Sequence, residues 1–210
     1  MNIKTEVSVH SPAHAHRDDF GSKMGMWLFL VTEMLLFGGL FLVYMTYRVQ
    51  FSKEFHLAAR ELDVFMGTFN TMILLTSSLT MALSITAITR GKRKQTLAFL
   101  CATEMLALGF LIIKAFEWGA KIQHGIFPGS AELQSLGNGE ILFFGLYYVM
   151  TGLHGLHVLV GMGLILFGLV GVWRGSIEQT KYVRLENFGL YWHLVDLIWI
   201  FLFPLFYLLH

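Results

Sequence analysis

Residues 29–39 read FLVTEMLLFGG, and this stretch decides the fold. Ten of its eleven residues suit the interior of a lipid bilayer; the other is Glu33. The apolar run around it extends from about Lys23 to Tyr47, longer than the roughly 20 residues that a spanning helix needs. It is too long for a cleavable signal peptide, its flanks are charged, and it has no small-residue cleavage site. Four more such stretches follow, at about Val64–Thr89, Gln95–Trp118, Ile141–Trp173 and Phe188–Leu209. Together they predict an all-α, polytopic membrane protein. Residues 22–210 form one bundle of five transmembrane helices, and residues 1–21 form a mobile N-terminal tail.

Composition agrees. Of 210 residues, 55% are hydrophobic and only 14% are charged, where a soluble domain carries about 25% charged residues. The formal net charge of +1 offers no field to attract nucleic acid. The single cysteine, Cys101, excludes an intrachain disulfide and any zinc site built on several thiolates. Three prolines and no low-complexity tract argue against long linkers. His14 and His16 in the tail are not expected to form a specific metal site.

Basic residues set the expected topology. Lys4, Arg17 and Lys23, the RGKRK turn (Arg90–Lys94), and Arg174, Lys181 and Arg184 fall on one side, ten in all. The other side carries four: Arg48, Lys53, Arg60 and Lys121. The positive-inside rule puts the N-terminus in the cytoplasm and the C-terminus outside.

Charge within a span is costly, from about 2.5 kcal/mol at the bilayer centre upward, so such residues normally face protein or water. Glu33 shares its helical face with Met26, Phe37, Leu40 and Tyr44. No partner lies on that face, so one must come from another span. Glu33 is expected to be a neutral acid bonded to a histidine or hydroxyl of the fourth or fifth span. The other reading of it is a proton or lipid site. Glu104, at similar depth on the third span, reads as a carboxyl that holds helices together.

The fourth span carries TGLHGLHVLVG (Thr151–Gly161). His154, His157, Gly161 and Gly168 lie on one face, and Gly145, Gly152 and Gly163 on the opposite one. Small residues let helices approach closely in lipid, so this helix is expected to be central. His154 and His157 could join His193 around a metal or haem, but structural hydrogen bonding is the expected role. The di-iron signature of paired Glu-x-x-His motifs is missing. On the fifth span, Asp196 lies three residues from both His193 and Trp199, an arrangement that predicts a polar clasp. Lys114 precedes Glu117 by three residues near the outer end of the third span. It is expected to snorkel outward and pair there. No phosphate-binding glycine loop, nucleophile–base pair or cysteine cluster appears.

Three runs, in order, resemble one family. SKMGMWLFLVTEMLLFGGLF (Ser22–Phe41) resembles the helix carrying the intramembrane glutamate of subunit III of haem–copper terminal oxidases. MTGLHGLHVLVG (Met150–Gly161) is similar to that family's histidine-rich helix, and ENFGLYWHLVDLIWIFLFPLFYL (Glu186–Leu208) to its closing helix. IIKAFEW (Ile112–Trp118) fits a third shared helix end. The resemblance implies a non-catalytic subunit of a cytochrome c or quinol oxidase, five-helix bacterial form, in the cytoplasmic membrane. It implies that haem and copper sit in partner subunits and none in this chain. Subunit I is the direct partner, with subunit II and others in the complex, and phospholipid is bound. Glu33 matches the family glutamate; His154, His157, His193 and Asp196 match its motif positions. Arg17 and Lys23 are the expected contacts to a lipid head group, at about 1 kcal/mol each. The seven-helix form has two further helices, absent here. The alternatives are an accessory subunit of a nitric oxide reductase, a small transporter or proton channel, and a bis-histidine cytochrome. Five spans do not divide into the repeats of a transporter.

Overall fold

The computed structural model describes the backbone from Ala13 to Leu209 and side chains from Phe20 to Leu209. The described residues form seven helices and no strand: α1 (Ala13–Gln50), α2 (Ser52–Ala59), α3 (Val64–Thr89), α4 (Arg93–Gln123), α5 (Ala131–Gln134), α6 (Asn138–Arg174) and α7 (Val183–Tyr207). Five are long and apolar enough to cross a membrane: α1, α3, α4, α6 and α7. The chain is a multi-pass membrane protein. The second span has the expected bounds. The third reaches Gln123, five residues past the expected end, and this extension changes the depth of Lys114. Helix α1 begins at Ala13, so residues 13–21 of the expected tail are helical. Residues 1–12, the rest of that tail, lie outside the described residues, as do the side chains of His14, His16 and Arg17.

Helix ends follow local chemistry. Asp63 caps α3, its Oδ1 accepting from the backbone N–H groups of Phe65 (2.9 Å) and Met66 (3.2 Å). At the start of α6, Glu140 accepts from the N–H of Gly137 at 3.3 Å. The same helix ends at Gly175, whose φ of 75° is the left-handed conformation that glycine adopts without strain. Arg93 donates to the carbonyls of Val172 and Trp173, so the start of α4 holds the end of α6.

Helices α3, α4, α6 and α7 form a ring, each packed on the next, and α1 lies outside it against α6 and α7. Helix α6 touches α1, α2, α4, α5 and α7, the central place that its two glycine faces predict. Gly161 faces Trp192 and Tyr191, and Gly168 faces Leu185 and Phe188, so one face receives α7. Gly152, on the other face, receives Trp118 of α4. Only 11% of the apolar window of α1 is buried, against 56% for α7, which makes α1 the peripheral span. It is seated by Leu30, Phe37 and Tyr44, one buried residue every seven. The Tyr44 hydroxyl donates to the Leu205 carbonyl, and His56 of α2 bonds the Leu209 carbonyl at 3.2 Å. These contacts occupy carbonyls at and just beyond the end of α7, where no helical partner is available.

Candidate functional site

The polar residues read from the sequence fall in three places. The first is the junction of α1, α6 and α7. Glu33 Oε2 lies 2.8 Å from His157 Nε2, so the carboxyl reaches across to the fourth span. The other ring nitrogen, His157 Nδ1, lies 2.7 Å from the Leu153 carbonyl oxygen. A carbonyl can only accept, so Nδ1 carries a proton and donates it. One proton then lies between Nε2 and Oε2, and the pair has no net charge whichever atom holds it. Phe37 meets the imidazole edge-on, at 5.3 Å between centroids, and Tyr191 lies nearly parallel to it at 6.5 Å. The Tyr191 hydroxyl donates to the His157 carbonyl at 3.2 Å. Aromatic walls and one shared proton make this a small, hydrogen-bonded acid–base pair.

The second place lies inside the ring, toward the C-terminal ends of α4 and α7, where α4, α6 and α7 meet. Lys114 is 7% exposed, so it does not snorkel. It sits nine residues before the end of α4, too deep to reach the surface. Its ammonium donates to Glu117 Oε2 (3.1 Å), the Tyr147 hydroxyl (3.2 Å) and the Tyr207 hydroxyl (2.6 Å). Both tyrosines donate to Glu117 Oε1, at 2.6 and 2.5 Å. All three ammonium protons and both hydroxyl protons have acceptors, so the network is closed. The ammonium also lies 5.0–5.2 Å from the ring centroids of Tyr147, Trp199 and Tyr207. Glu117 therefore meets protein rather than lipid. Spacing along α4 pairs Lys114 with Glu117 but gives no sign of the two tyrosines. Tyr147 and Tyr207 carried no signal beyond their type, because they come from other helices.

The third place is the seam between α3 and α7. Trp199 Nε1 donates to Thr71 Oγ1 at 3.0 Å, and Trp192 Nε1 to Ser77 Oγ at 3.1 Å. His193 Nδ1 lies 2.7 Å from Ser78 Oγ. The expected clasp of Asp196 with His193 and Trp199 is therefore not formed. Both partners bond hydroxyls of α3, whose serines and threonines lie opposite them. Asp196 is buried, and neither oxygen meets strict hydrogen-bonding geometry; the Ser78 hydroxyl, shared with His193, is the donor nearest to it. The hydrogen bonding expected of His154 is not formed: the ring is fully buried between Phe110 (5.7 Å between centroids) and Trp199 (5.2 Å), aromatic faces that leave both its nitrogens without a partner among the described residues. His154 thus faces the ring interior, His157 faces α1, and His193 faces α3. At the N-terminal ends of the apolar parts of α1 and α7, Lys23 pairs with Glu186 at 2.7 Å, and Asn187 donates to Ser22 Oγ at 3.0 Å.

The described residues form five membrane-spanning helices, with an acid–base pair at the edge of a four-helix ring whose interior is polar. Comparisons with known proteins give the class. The family model for cytochrome c oxidase subunit III matches residues 2–210. The cytochrome c oxidase subunit 3 of Thermostichus vulcanus is 33% identical, over 99% of this chain and 96% of that one. The cytochrome bo(3) ubiquinol oxidase subunit 3 of Pseudomonas aeruginosa is 28% identical, over 95% of this chain and 90% of that one. A heme-copper oxidase subunit I+III of Aeropyrum pernix is 30% identical over 89% of this chain, which covers 22% of that longer protein. The chain belongs to the cytochrome c oxidase subunit III family, and so to the multi-subunit haem–copper oxidases. The nitric oxide reductase, transporter and cytochrome alternatives are not favoured.

Proposed function

We propose that this chain is the non-catalytic member of its oxidase, supporting a redox subunit rather than carrying a redox centre. It sits in a bacterial cytoplasmic membrane with its N-terminus inside. Haem and copper belong to partner subunits. The divergence of His154, His157 and His193 toward three different neighbours supports this, since a shared ligand set would need them to converge. Subunit I is the direct partner; the fused subunit I+III relative supports that pairing.

The observation that carries the reading is the Glu33–His157 contact. A carboxyl bonded to an imidazole, with one proton between them and no net charge, can hold or hand on a proton without leaving a bare charge in lipid. Its role is to support proton uptake by the complex. Phospholipid fills the apolar groove between α1 and α7, a space of about 210 Å³ walled by Met34, Phe37, Phe41, Leu194 and Phe201. Lys23, eleven residues before the groove's first residue on α1, is the expected head-group contact on the described part of the chain.

The test strips this chain from the purified oxidase and follows oxygen uptake against time. The expected result is normal first turnovers and early loss of activity, with the metal spectra intact. Immediate and complete loss, or an unchanged lifetime, overturns the supporting role. A stoichiometric Soret band in the isolated chain that vanishes in His154→Ala overturns the assignment of haem to partners.

A further inference from the structure

Three polar side chains inside the four-helix ring are left without protein partners. Asn70 of α3, His154 of α6 and Asp196 of α7 are 0%, 0% and 3% exposed. None of their six side-chain polar atoms meets a partner at hydrogen-bonding geometry among the described residues. The three gather around Trp199. His154 lies against its ring, at 5.2 Å between centroids. Thr71, the chain neighbour of Asn70, accepts from its indole N–H at 3.0 Å. Asp196 precedes it by three residues, just under one turn along α7. The Lys114 ammonium stands 5.0 Å from the centroid of the same ring, so this layer adjoins the cage around Lys114.

The layer also lies close to the aqueous phase. A pocket of about 260 Å³ opens between the start of α3 and the end of α4, with Glu61, Asp63, Lys121 and His124 among its walls. Its lining reaches deepest at Met66 on α3 and at Phe116 and Glu117 on α4. Asn70 comes one turn beyond Met66, and Lys114 nearly one turn before Glu117. The Thr80–Thr103 hydroxyl contact, at 2.8 Å, sets the register of these two antiparallel helices. Ten residues from it along each helix, Asn70 stands level with Ile113, next to Lys114.

We infer that the ring interior binds a short file of water molecules, anchored by Asn70, His154 and Asp196 and filled from the pocket beside Glu117. Chemistry selects water. A buried amide, imidazole or carboxyl is costly when unpaired, the more so in a membrane, where lipid tails offer neither donor nor acceptor. The three side chains come from three helices and do not bond one another. A buried water both donates and accepts, making about three hydrogen bonds, so a few can link groups that surround one indole. A metal ion does not fit, since no three ligating side chains converge among the described residues. Past Asp196 the buried faces of α3 and α4 carry Met81 and Leu100, both 0% exposed, so the file is blind-ended. It gives His154 and Asp196 contact with water on one side of the membrane only.

The experiment uses the intact complex in lipid with isotope-labelled histidine. Solid-state nuclear magnetic resonance follows transfer from water protons to the imidazole nitrogens, and His154→Phe identifies the His154 signals. The expected result is transfer to His154 from bound water, although its ring is fully buried. No transfer to His154 overturns the file. In Ala120→Trp, which fills the mouth of the pocket, deuterium should enter the His154 N–H about tenfold more slowly, a change that needs only about 1.4 kcal/mol of added barrier. Exchange at His157, at the α1–α6 junction, should not change. Unaltered exchange at His154 in Ala120→Trp overturns filling from this pocket. A density map of the same complex should show water within hydrogen-bonding distance of the Asn70 amide. A direct bond between any two of Asn70, His154 and Asp196 in that map overturns the file whatever the variants do.

Discussion

Glu33 Oε2 and His157 Nε2 lie 2.8 Å apart, and this contact ties the peripheral helix α1 to the central helix α6. Because His157 Nδ1 is committed to the Leu153 carbonyl, a neutral imidazole leaves Nε2 as an acceptor and Glu33 as the donor. A neutral pair avoids desolvating two charges. Infrared difference spectra of the parent against Glu33→Gln should therefore lose a protonated-carboxyl carbonyl band. Loss of a carboxylate band instead would assign an imidazolium–carboxylate pair. Glu33→Gln should assemble nearly normally, since its amide N–H₂ can still donate to Nε2. Glu33→Ala leaves Nε2 unpaired and should loosen α1 by about 1–3 kcal/mol, read as earlier release of the chain from the complex on heating.

The cage around Lys114 behaves differently because its charges are locked together. Removing one member of a buried ion pair leaves the other uncompensated, at about 3–5 kcal/mol, whereas removing both together is often nearly neutral. Lys114→Met should destabilise the chain strongly. Lys114→Met combined with Glu117→Gln should recover much of the loss. Thermal unfolding in detergent, followed by near-ultraviolet circular dichroism of the surrounding Tyr147, Trp199 and Tyr207, measures both. A double variant as unstable as the sum of the singles would show that the four groups do not act as one network.

The spans were legible in the sequence, and the polar partners mostly were not. Each span is a local property: a run of apolar residues long enough to cross. The Val64–Thr89 span emerges with its expected bounds because Asp63 and the basic turn at Arg90–Lys92 mark both ends. Pairing is a property of two helices at matched depth, and a short error in helix length moves it. Ending the third span at Trp118 placed Lys114 at the surface; five more helical residues place it inside the cage. Asp196 misled in another way. Spacing along one helix put His193 and Trp199 within its reach, but hydroxyls of α3 offered both a better partner. Glu33 was readable because its own face held no partner at all.

The α3–α7 seam should weaken when its hydroxyls are removed. Thr71→Val preserves shape and leaves the Trp199 indole N–H, at present 3.0 Å from Oγ1, without an acceptor. The expected cost is about 1 kcal/mol, near the middle of the range for interhelical hydrogen bonds in membranes. The indole N–H band in ultraviolet resonance Raman spectra should shift toward its non-bonded position. An unshifted band in Thr71→Val would mean that Trp199 bonds elsewhere.

Gly161 sets the distance between α6 and α7. A Cβ there would stand 2.7 Å from Trp192 Cε3 and 2.8 Å from Cζ3, inside van der Waals contact. The ring cannot easily retreat. Trp192 is fully buried, and its Nε1 donates to Ser77 Oγ on α3, so a shift that relieves one helix breaks the bond to another. Gly161→Ala should therefore cost about 1–3 kcal/mol, the usual penalty for overpacking, despite alanine's better helix propensity. Gly145, on the same helix, supplies the control: a Cβ there meets nothing within 4 Å. Gly145→Ala gains about 0.5–1 kcal/mol of backbone preference with nothing to oppose it. The two single-methyl variants of one helix should move thermal stability in opposite directions, and Trp192 emission should change only in Gly161→Ala. Equal stability of the two would show that α6 and α7 part without cost, and that glycine at 161 does not set their spacing.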